Sequence, residues 1–128
     1  MLIFFTVLGC ALGGVCRYLV MTLVTRLLGD RFPFGTLTVN ALGSFLLGFI
    51  LGIGTLSGNN WLSFDEVHAL AVVGFCGGLT TFSSFSLQTF TLFSEQSWGQ
   101  MLANILSSVL LCILCVVSGY AIGEGVIA

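Results

Sequence analysis

The residues of this chain most suited to binding an ion lie between Gly74 and Ser86, in the sequence GFCGGLTTFSSFS. The segment has three glycines, two threonines, three serines and three phenylalanines, carries no charge, and lies inside an apolar run long enough to cross a bilayer. Paired glycines and paired β-branched threonines weaken a helix. Non-helical backbone at membrane depth persists only where protein buries it or water reaches it. The segment therefore predicts a broken or distorted transmembrane helix and a candidate ion site.

The elements that position this segment are predicted to be membrane helices. Of the 128 residues, 57% are hydrophobic and 6% are charged, and the mean hydropathy is +1.14, which excludes a soluble globular fold. Because a helical crossing needs about 20 residues, the chain has room for four spans. We expect one all-α integral membrane domain over residues 1–128, surrounded by lipid and without a nucleic-acid partner. Its spans are predicted at about 2–28, 35–56, 65–93 and 100–122.

The polar side chains of the spans are mostly neutral hydrogen-bond donors. No acidic residue lies deep in a predicted span, which argues against a proton-coupled transporter. The sequence GxSxG is absent and the only histidine, His68, has no nucleophile for a triad, so we expect no catalytic residues and no enzyme. With Arg17, the neutral donors favour an anion over a cation. These donors are Asn40, Thr80, Thr81, Ser83, Ser84, Ser107 and Ser108.

Arg17 and Asn40 each have two interpretations. Arg17 lies within the first span, where a guanidinium is costly unless it is paired or hydrated; it either serves a functional site or extends to the interface as an anchor. Asn40 lies on a stripe of small and polar residues in the second span, and an amide at this depth must face protein or water. It either makes an interhelical hydrogen bond or lines a pore as a donor to an anion.

Phe82 and Phe85 directly follow the predicted helix break, with two serines between them. An aromatic ring has a positive edge and a negative face, so a ring presented edge-on offers weak positive potential to an anion. In a chain with 12 phenylalanines, the alternative for any one of them is packing or contact with lipid.

The five cysteines, Cys10, Cys16, Cys76, Cys112 and Cys115, all lie in apolar runs. The last two form a CxxC sequence, but no second pair accompanies it and His68 lies on a different segment. We interpret the cysteines as structural thiols, since free cysteine behaves as a small buried hydrophobic residue.

Small residues recur every four positions on all four spans, a spacing that lets helices approach closely. The glycine pairs are Gly9/Gly13, Gly48/Gly52, Gly74/Gly78 and Gly119/Gly123. A bundle of this size has little interior, so we expect a homo-oligomer; alternatively, the glycines pack helices only within one subunit. The charge bias that would orient the chain in the membrane depends on two residues, Arg26 and Arg31. A bias this weak permits insertion in both orientations and therefore an antiparallel dimer.

Three motifs resemble the small bacterial fluoride channels of the Fluc or CrcB family. They are GGVCRY at Gly13–Tyr18, PFGTLTVN at Pro33–Asn40 and GFCGGLTTFSSFS at Gly74–Ser86, and the likeness covers nearly the whole chain. The resemblance implies a dual-topology, antiparallel homodimer in the bacterial inner membrane. It also implies two fluoride pores and passive, selective export of fluoride that protects the cytoplasm from its toxicity.

The resemblance assigns pore roles to residues of the second and third spans. It implies that Asn40 lines the pore and donates a hydrogen bond to fluoride, and that Phe82 and Phe85 are the paired pore phenylalanines. Ser83 and Ser84 correspond to neighbouring hydroxyls.

The resemblance also implies a structural sodium ion at the centre of the dimer, held by backbone carbonyls. The corresponding residues here are Gly77 and Thr80, and a carbonyl cage suits a hard cation. Arg17 corresponds to the arginine of the family's vestibule.

Members of this family carry a track of hydroxyls on the fourth span. Ser107 and Ser108 are the candidates in this chain. Cys112, one turn further on, is a poorer donor, so the track is incomplete if that turn lines the pore.

Two other functions remain as alternatives. A dual-topology multidrug exporter of similar size should have a mid-membrane glutamate in its first span, where this chain has Arg17. A small accessory subunit would use its polar stripes only to pack against a larger partner.

Overall fold

The computed structural model describes residues 1–56 and 65–127, and these residues are almost entirely helical. The third span is a composite of several short elements, whereas the other spans are single helices. In chain order the elements are α1 (Leu2–Leu28), α2 (Phe34–Leu56), α3 (Asp65–Val67), a π-helix (His68–Cys76), α4 (Gly77–Leu79), α5 (Phe82–Ser94) and α6 (Trp98–Ile127).

Four segments of the described residues are long and apolar enough to cross a membrane, which confirms the predicted all-α architecture with four spans. They are Leu2–Leu28, Phe34–Gly54, His68–Ser94 and Trp98–Val126. The last helix continues to Ile127, beyond the predicted end near residue 122. It continues because Gly123, past that point, still packs against α2.

The third span departs from regular α-helix in two places. Residues His68–Cys76 form a π-helix, a rare conformation that is frequent at functional sites. Further on, Thr80 (φ -82°, ψ 158°) and Thr81 (φ -151°, ψ 115°) are extended, and the helix resumes at Phe82. We name these two extended residues the break. No residue pattern in His68–Cys76 predicts the π-helix, because the wider i→i+5 turn depends on how the span packs.

Glycines bring α1 into backbone contact with the third span. A Cβ atom built on Gly9 would lie 2.9 Å from Gly74 Cα, and one built on Gly13 would lie 2.8 Å from Leu79 N. Both distances are shorter than real Cβ atoms adopt. The two backbones therefore pack this closely only because these positions carry no side chain.

Glycines also join α2 to α6, the most extensive helix pair among the described residues. A Cβ atom on Gly48 would lie 3.0 Å from Tyr120 N, and one on Gly119 would lie 3.0 Å from Phe49 N. The contact is reciprocal, since each helix presents glycines to the backbone of the other.

All four predicted glycine pairs lie in these two helix contacts. The interpretation in which they pack helices within one subunit therefore accounts for each of them. The glycine spacing gives no separate argument for an oligomer.

Two adjacent glycines of α1 test this packing. We expect Gly13→Ala to lower the free energy of unfolding by about 1 to 3 kcal/mol, because its methyl group overpacks against the backbone of the third span. Gly14→Ala is the matched control, since a Cβ atom there meets nothing within 4 Å. Chemical unfolding in detergent micelles, followed by circular dichroism, measures both. Equal destabilisation by the two substitutions would contradict the packing role of Gly13.

Candidate functional site

The break in the third span is hydrogen-bonded to α2 through one side chain, that of Asn40. Its Oδ1 accepts a hydrogen bond from Thr81 N at 2.7 Å, and its Nδ2 donates one to Thr81 O at 3.1 Å. Because the backbone N–H only donates and the carbonyl only accepts, these contacts fix the orientation of the side-chain amide. Asn40 therefore hydrogen-bonds α2 to the third span, as the interpretation of an interhelical hydrogen bond predicts.

These bonds release two carbonyl oxygens from helical pairing. In a continuous α-helix, Thr81 N–H would donate to Gly77 O and Ser84 N–H would donate to Thr80 O. Here Thr81 N–H donates to Asn40, and Ser84 N–H donates to Thr81 Oγ1 at 3.2 Å. Gly77 O and Thr80 O thus lose their ordinary donors at the same point in the fold.

The Thr81 side chain caps the N-terminus of α5. It is 5% exposed, and its hydroxyl lies 3.2 Å from the hydroxyls of both Ser83 and Ser84. A threonine at this position satisfies one of the free N–H groups at the start of a helix. The predicted serines therefore surround the capping hydroxyl.

Arg17 extends from α1 to the break. Its Nη1 donates to Thr80 O at 3.4 Å, and the side chain is half-buried. The guanidinium thus contacts the backbone of the third span. One of the two released carbonyls lies next to a positive charge.

A cavity of about 550 Å³ lies beside the break, between α2, the third span, α5 and α6. The ring centroids of Phe82 and Phe85 are 5.6 Å apart, with their planes at 47°, and Phe82 is 78% exposed. The predicted site residues that line the cavity are Asn40, Gly77, Thr80, Phe82, Phe85 and Ser108, together with Cys112. The cavity therefore brings together residues of the second and third motifs and of the fourth span.

Four predicted residues do not line this cavity: Arg17, Ser83, Ser84 and Ser107. Ser107 Oγ donates to Ala103 O and Asn104 O of its own helix. Its hydroxyl is therefore engaged by backbone, whereas that of Ser108 faces the buried side of α6.

Asn104 belongs to the same polar region, although the sequence reasoning did not include it in the site. It is 2% exposed, its Nδ2 donates to Thr89 Oγ1 at 3.0 Å, and its Oδ1 accepts from Ser108 Oγ at 3.5 Å. Like Asn40, Asn104 carries an amide that must face protein or water at membrane depth.

Two buried polar oxygens have no hydrogen-bond partner among the described residues. They are Thr36 Oγ1 on α2 and Gln88 Oε1 on α5. Thr36 is 2% exposed and lies one helical turn before Asn40, on the same face of α2.

Side chains of the described residues do not form a metal centre. The five cysteines are free thiols, and no group of three or more histidine, cysteine, aspartate or glutamate residues is placed to hold a metal ion within residues 1–56 and 65–127. The carbonyls released at the break are the oxygen ligands that this region offers to a hard cation.

Comparison with known proteins identifies the family. The family model described as "CrcB-like protein, Camphor Resistance (CrcB)" matches residues 4–120. The chain belongs to the CrcB family. The match begins in α1 and ends in α6, so every predicted site residue of this CrcB-family chain lies within it.

Curated relatives carry the name "Fluoride-specific ion channel FluC". The chain is 46% identical to one from Hahella chejuensis over 120 residues, which covers 92% of this chain and 91% of the relative. It is 44% identical to one from Shewanella denitrificans over 115 residues, 90% of each. A third, from Coxiella burnetii, is 46% identical over 119 residues, 91% of this chain and 93% of the relative. The predicted resemblance is confirmed.

Substitution of Thr81 tests the cap at the break. We expect Thr81→Val to lower the free energy of unfolding by about 0.5 to 2 kcal/mol, because Ser84 N–H loses its acceptor, and Thr81→Ser to retain most of the stability. Thr91→Val on the same helix is the control, since that exposed hydroxyl bonds only to Leu87 O. Thermal unfolding in micelles measures all three. A valine variant as stable as the control would exclude a capping role.

Proposed function

We propose that this CrcB-family protein is a fluoride-selective channel that lets fluoride leave the bacterial cytoplasm passively across the inner membrane, which reduces fluoride toxicity. The observation that carries the proposal is the family match, together with relatives of nearly the same length that are named fluoride-specific ion channels. The protein is accordingly a channel and not an enzyme. The geometry around the break supports the same function.

Asn40 supplies a donor to the pore beyond the bonds that hold the break. An amide nitrogen carries two hydrogens, and one of them is used by Thr81 O. No hydrogen bond among the described residues uses the other, and Asn40 lines the cavity. Fluoride that enters the cavity would exchange water for this donor.

The pore phenylalanines lie at the start of α5. Phe82 and Phe85 line the cavity one turn apart, and their tilted rings present edges as well as faces. The N-terminal end of a helix also carries positive potential, which favours an anion. Ser83 and Ser84, around the Thr81 hydroxyl, complete the polar surroundings of this helix start.

A hydroxyl track continues from the cavity along α6 and α2. Ser108 lines the cavity. Its hydroxyl donates to Asn104 Oδ1 at 3.5 Å, and because this bond is long and therefore weak, the hydroxyl can turn toward another acceptor. Ser107 is the second candidate of the fourth span, and the unpaired hydroxyl of Thr36 extends the set on α2. Cys112 lines the cavity one turn beyond Ser108, where its thiol gives a weaker donor.

A structural sodium ion fits the released carbonyls of Gly77 and Thr80. Both oxygens lack their helical donors, and carbonyl oxygen is a suitable ligand for a hard cation. Gly77 is exposed, and the space beyond it is open to at least 4 Å, so a second copy can bring its own two carbonyls to the same point. The bound ion would offset the repulsion between carbonyl dipoles that meet there. Arg17, from the vestibule, donates a hydrogen bond to Thr80 O within the subunit.

The assembly we propose is an antiparallel homodimer of dual topology, with two pores. Helix α5 has only limited contact with α2 and α6, and large apolar side chains such as Phe82 and Phe90 are exposed on it. A second subunit would cover this surface next to the cavity. The weak charge bias of the loops is compatible with both orientations.

Reconstitution into liposomes tests the channel directly. Vesicles loaded with potassium fluoride should release fluoride rapidly when valinomycin carries the potassium, and vesicles loaded with potassium chloride should release little chloride. Ion-selective electrodes measure both anions. Absence of fluoride efflux from folded, reconstituted protein would contradict the proposal.

In the same assay, Phe82→Ile and Phe85→Ile should each sharply reduce fluoride efflux, because isoleucine keeps apolar bulk but has no aromatic edge. Phe4→Ile, near the start of α1 and not among the residues that line the cavity, is the matched control and should conduct normally. Wild-type efflux in both pore variants would remove the two rings from the path of the ion.

Dual topology predicts that a terminal tag is found on both sides of the membrane. A single cysteine in a short C-terminal tag, in a background without native cysteines, should be labelled to about half by an impermeant maleimide added to intact spheroplasts. Labelling near zero or near completion would indicate one orientation.

A further inference from the structure

We infer that Asn40 is a positioning residue of the cation site: by taking the hydrogen of Thr81 N–H, its side chain keeps the Gly77 carbonyl open to sodium. The inference rests on the proposed sodium site. It adds that one side chain serves both the anion path and the cation site, which are otherwise separate features of the fold.

Thr81 N–H is one donor with two acceptors in competition for it, Gly77 O and Asn40 Oδ1. In a continuous α-helix, Thr81 N–H would donate to Gly77 O, the carbonyl four residues earlier. It instead donates to Asn40 Oδ1 at 2.7 Å, while Asn40 Nδ2 bonds to Thr81 O at 3.1 Å. The two bonds satisfy both backbone groups of Thr81 in its extended conformation, so the break needs no helical partner.

Removal of the Asn40 amide affects Gly77 O. Thr81 is 5% exposed, and a buried N–H without an acceptor is strongly unfavourable. With Asn40 shortened to alanine, the acceptor within reach along the chain is Gly77 O, which Thr81 N–H reaches once Thr80 adopts helical dihedral angles. The hydrogen of Thr81 would then occupy the side of Gly77 O on which a cation must bind.

The other carbonyl is released by a different group. Ser84 N–H, which would otherwise bond to Thr80 O, is held by the Thr81 hydroxyl at 3.2 Å, and this contact does not involve Asn40. Loss of the Asn40 amide should therefore remove the Gly77 half of the cation site and leave the Thr80 half.

Asn40→Asp separates the positioning role from the pore role. A protonated aspartate at this position keeps both bonds to Thr81, since one oxygen accepts from Thr81 N–H and the O–H donates to Thr81 O, but it has no further N–H for an anion. We expect the aspartate variant to retain sodium binding and lose fluoride efflux. The alanine variant should lose both.

The Gly77 carbonyl can be observed by itself because the sequence contains only two Gly-Gly pairs, Gly13–Gly14 and Gly77–Gly78. Protein made by cell-free synthesis with ¹³C′-glycine and ¹⁵N-glycine should give two carbonyl-to-amide correlations. The Gly13 signal is an internal control, since its carbonyl lies within the regular helix α1. The full-length protein is purified in micelles without sodium and titrated with sodium chloride against N-methylglucamine chloride.

In the wild type, we expect sodium to shift the Gly77 carbonyl resonance and leave that of Gly13 unchanged. In Asn40→Ala the apparent sodium affinity should fall by about 10- to 100-fold, as is typical when a group that orients a metal ligand is removed. Asn40→Asp and the control Thr38→Val should titrate like the wild type; Thr38 lies on the same helix, and its hydroxyl bonds to Phe34 O. An unchanged Gly13 signal verifies that α1 still packs on the third span, and Asn40→Leu, which has no acceptor either, gives the same measurement if the alanine variant does not fold.

The outcomes distinguish the inference from the proposal on which it rests. A wild-type Gly77 signal that ignores sodium would overturn the cation site and the role of Asn40 in it together, and would leave the fluoride efflux result untouched. A normal wild-type titration with an equal response in Asn40→Ala would overturn the positioning role alone. Loss of the sodium response in both Asn40→Ala and Asn40→Asp would also overturn it, because the retained acceptor would then have no effect.

Discussion

The architecture depends on satisfying the backbone where it leaves the helical path inside the membrane. An amide or carbonyl without a partner costs about 2 to 7 kcal/mol in an apolar environment, and lipid offers no water to replace the partner. Asn40 satisfies both backbone groups of Thr81, and the Thr81 hydroxyl satisfies Ser84 N–H. Without these bonds the third span would be more stable as a continuous helix, which would leave no break and no released carbonyls.

Such a pairing requires that α2 and the third span be held in register, and close backbone contacts provide this. Immediately before the break, Leu79 lies against Gly13 of α1. On the opposite side, the Thr80 methyl group occupies the space that a side chain at Gly43 of α2 would need. Because the break is held between two helices that approach this closely, Asn40 meets Thr81 at hydrogen-bonding distance.

Much of this fold follows from sequence, since composition and hydropathy are enough to predict four spans. The unusual residues of the 74–86 segment locate the candidate site. The partner of Asn40 was not predictable in the same way, because a backbone group becomes an interhelical partner only once the break exists. The glycine spacing also did not distinguish packing within a subunit from packing between subunits, since both produce the same pattern. Asn104 was not assigned to the site, although an amide in a membrane span indicates a polar partner there as it does for Asn40.

The hydrogen bonds separate the polar residues of the site into two groups: those whose donors are engaged by the fold and those whose donors remain available to an ion. Ser83 and Ser84 surround the Thr81 cap, and the Ser107 hydroxyl is bonded to its own helix. A donor engaged in this way must break a bond of the fold before it can replace the water around fluoride. The second N–H of Asn40 and the loosely held hydroxyl of Ser108 need not do so. In the proposed pore, conduction should therefore depend more on these two donors than on the number of hydroxyls in the motif.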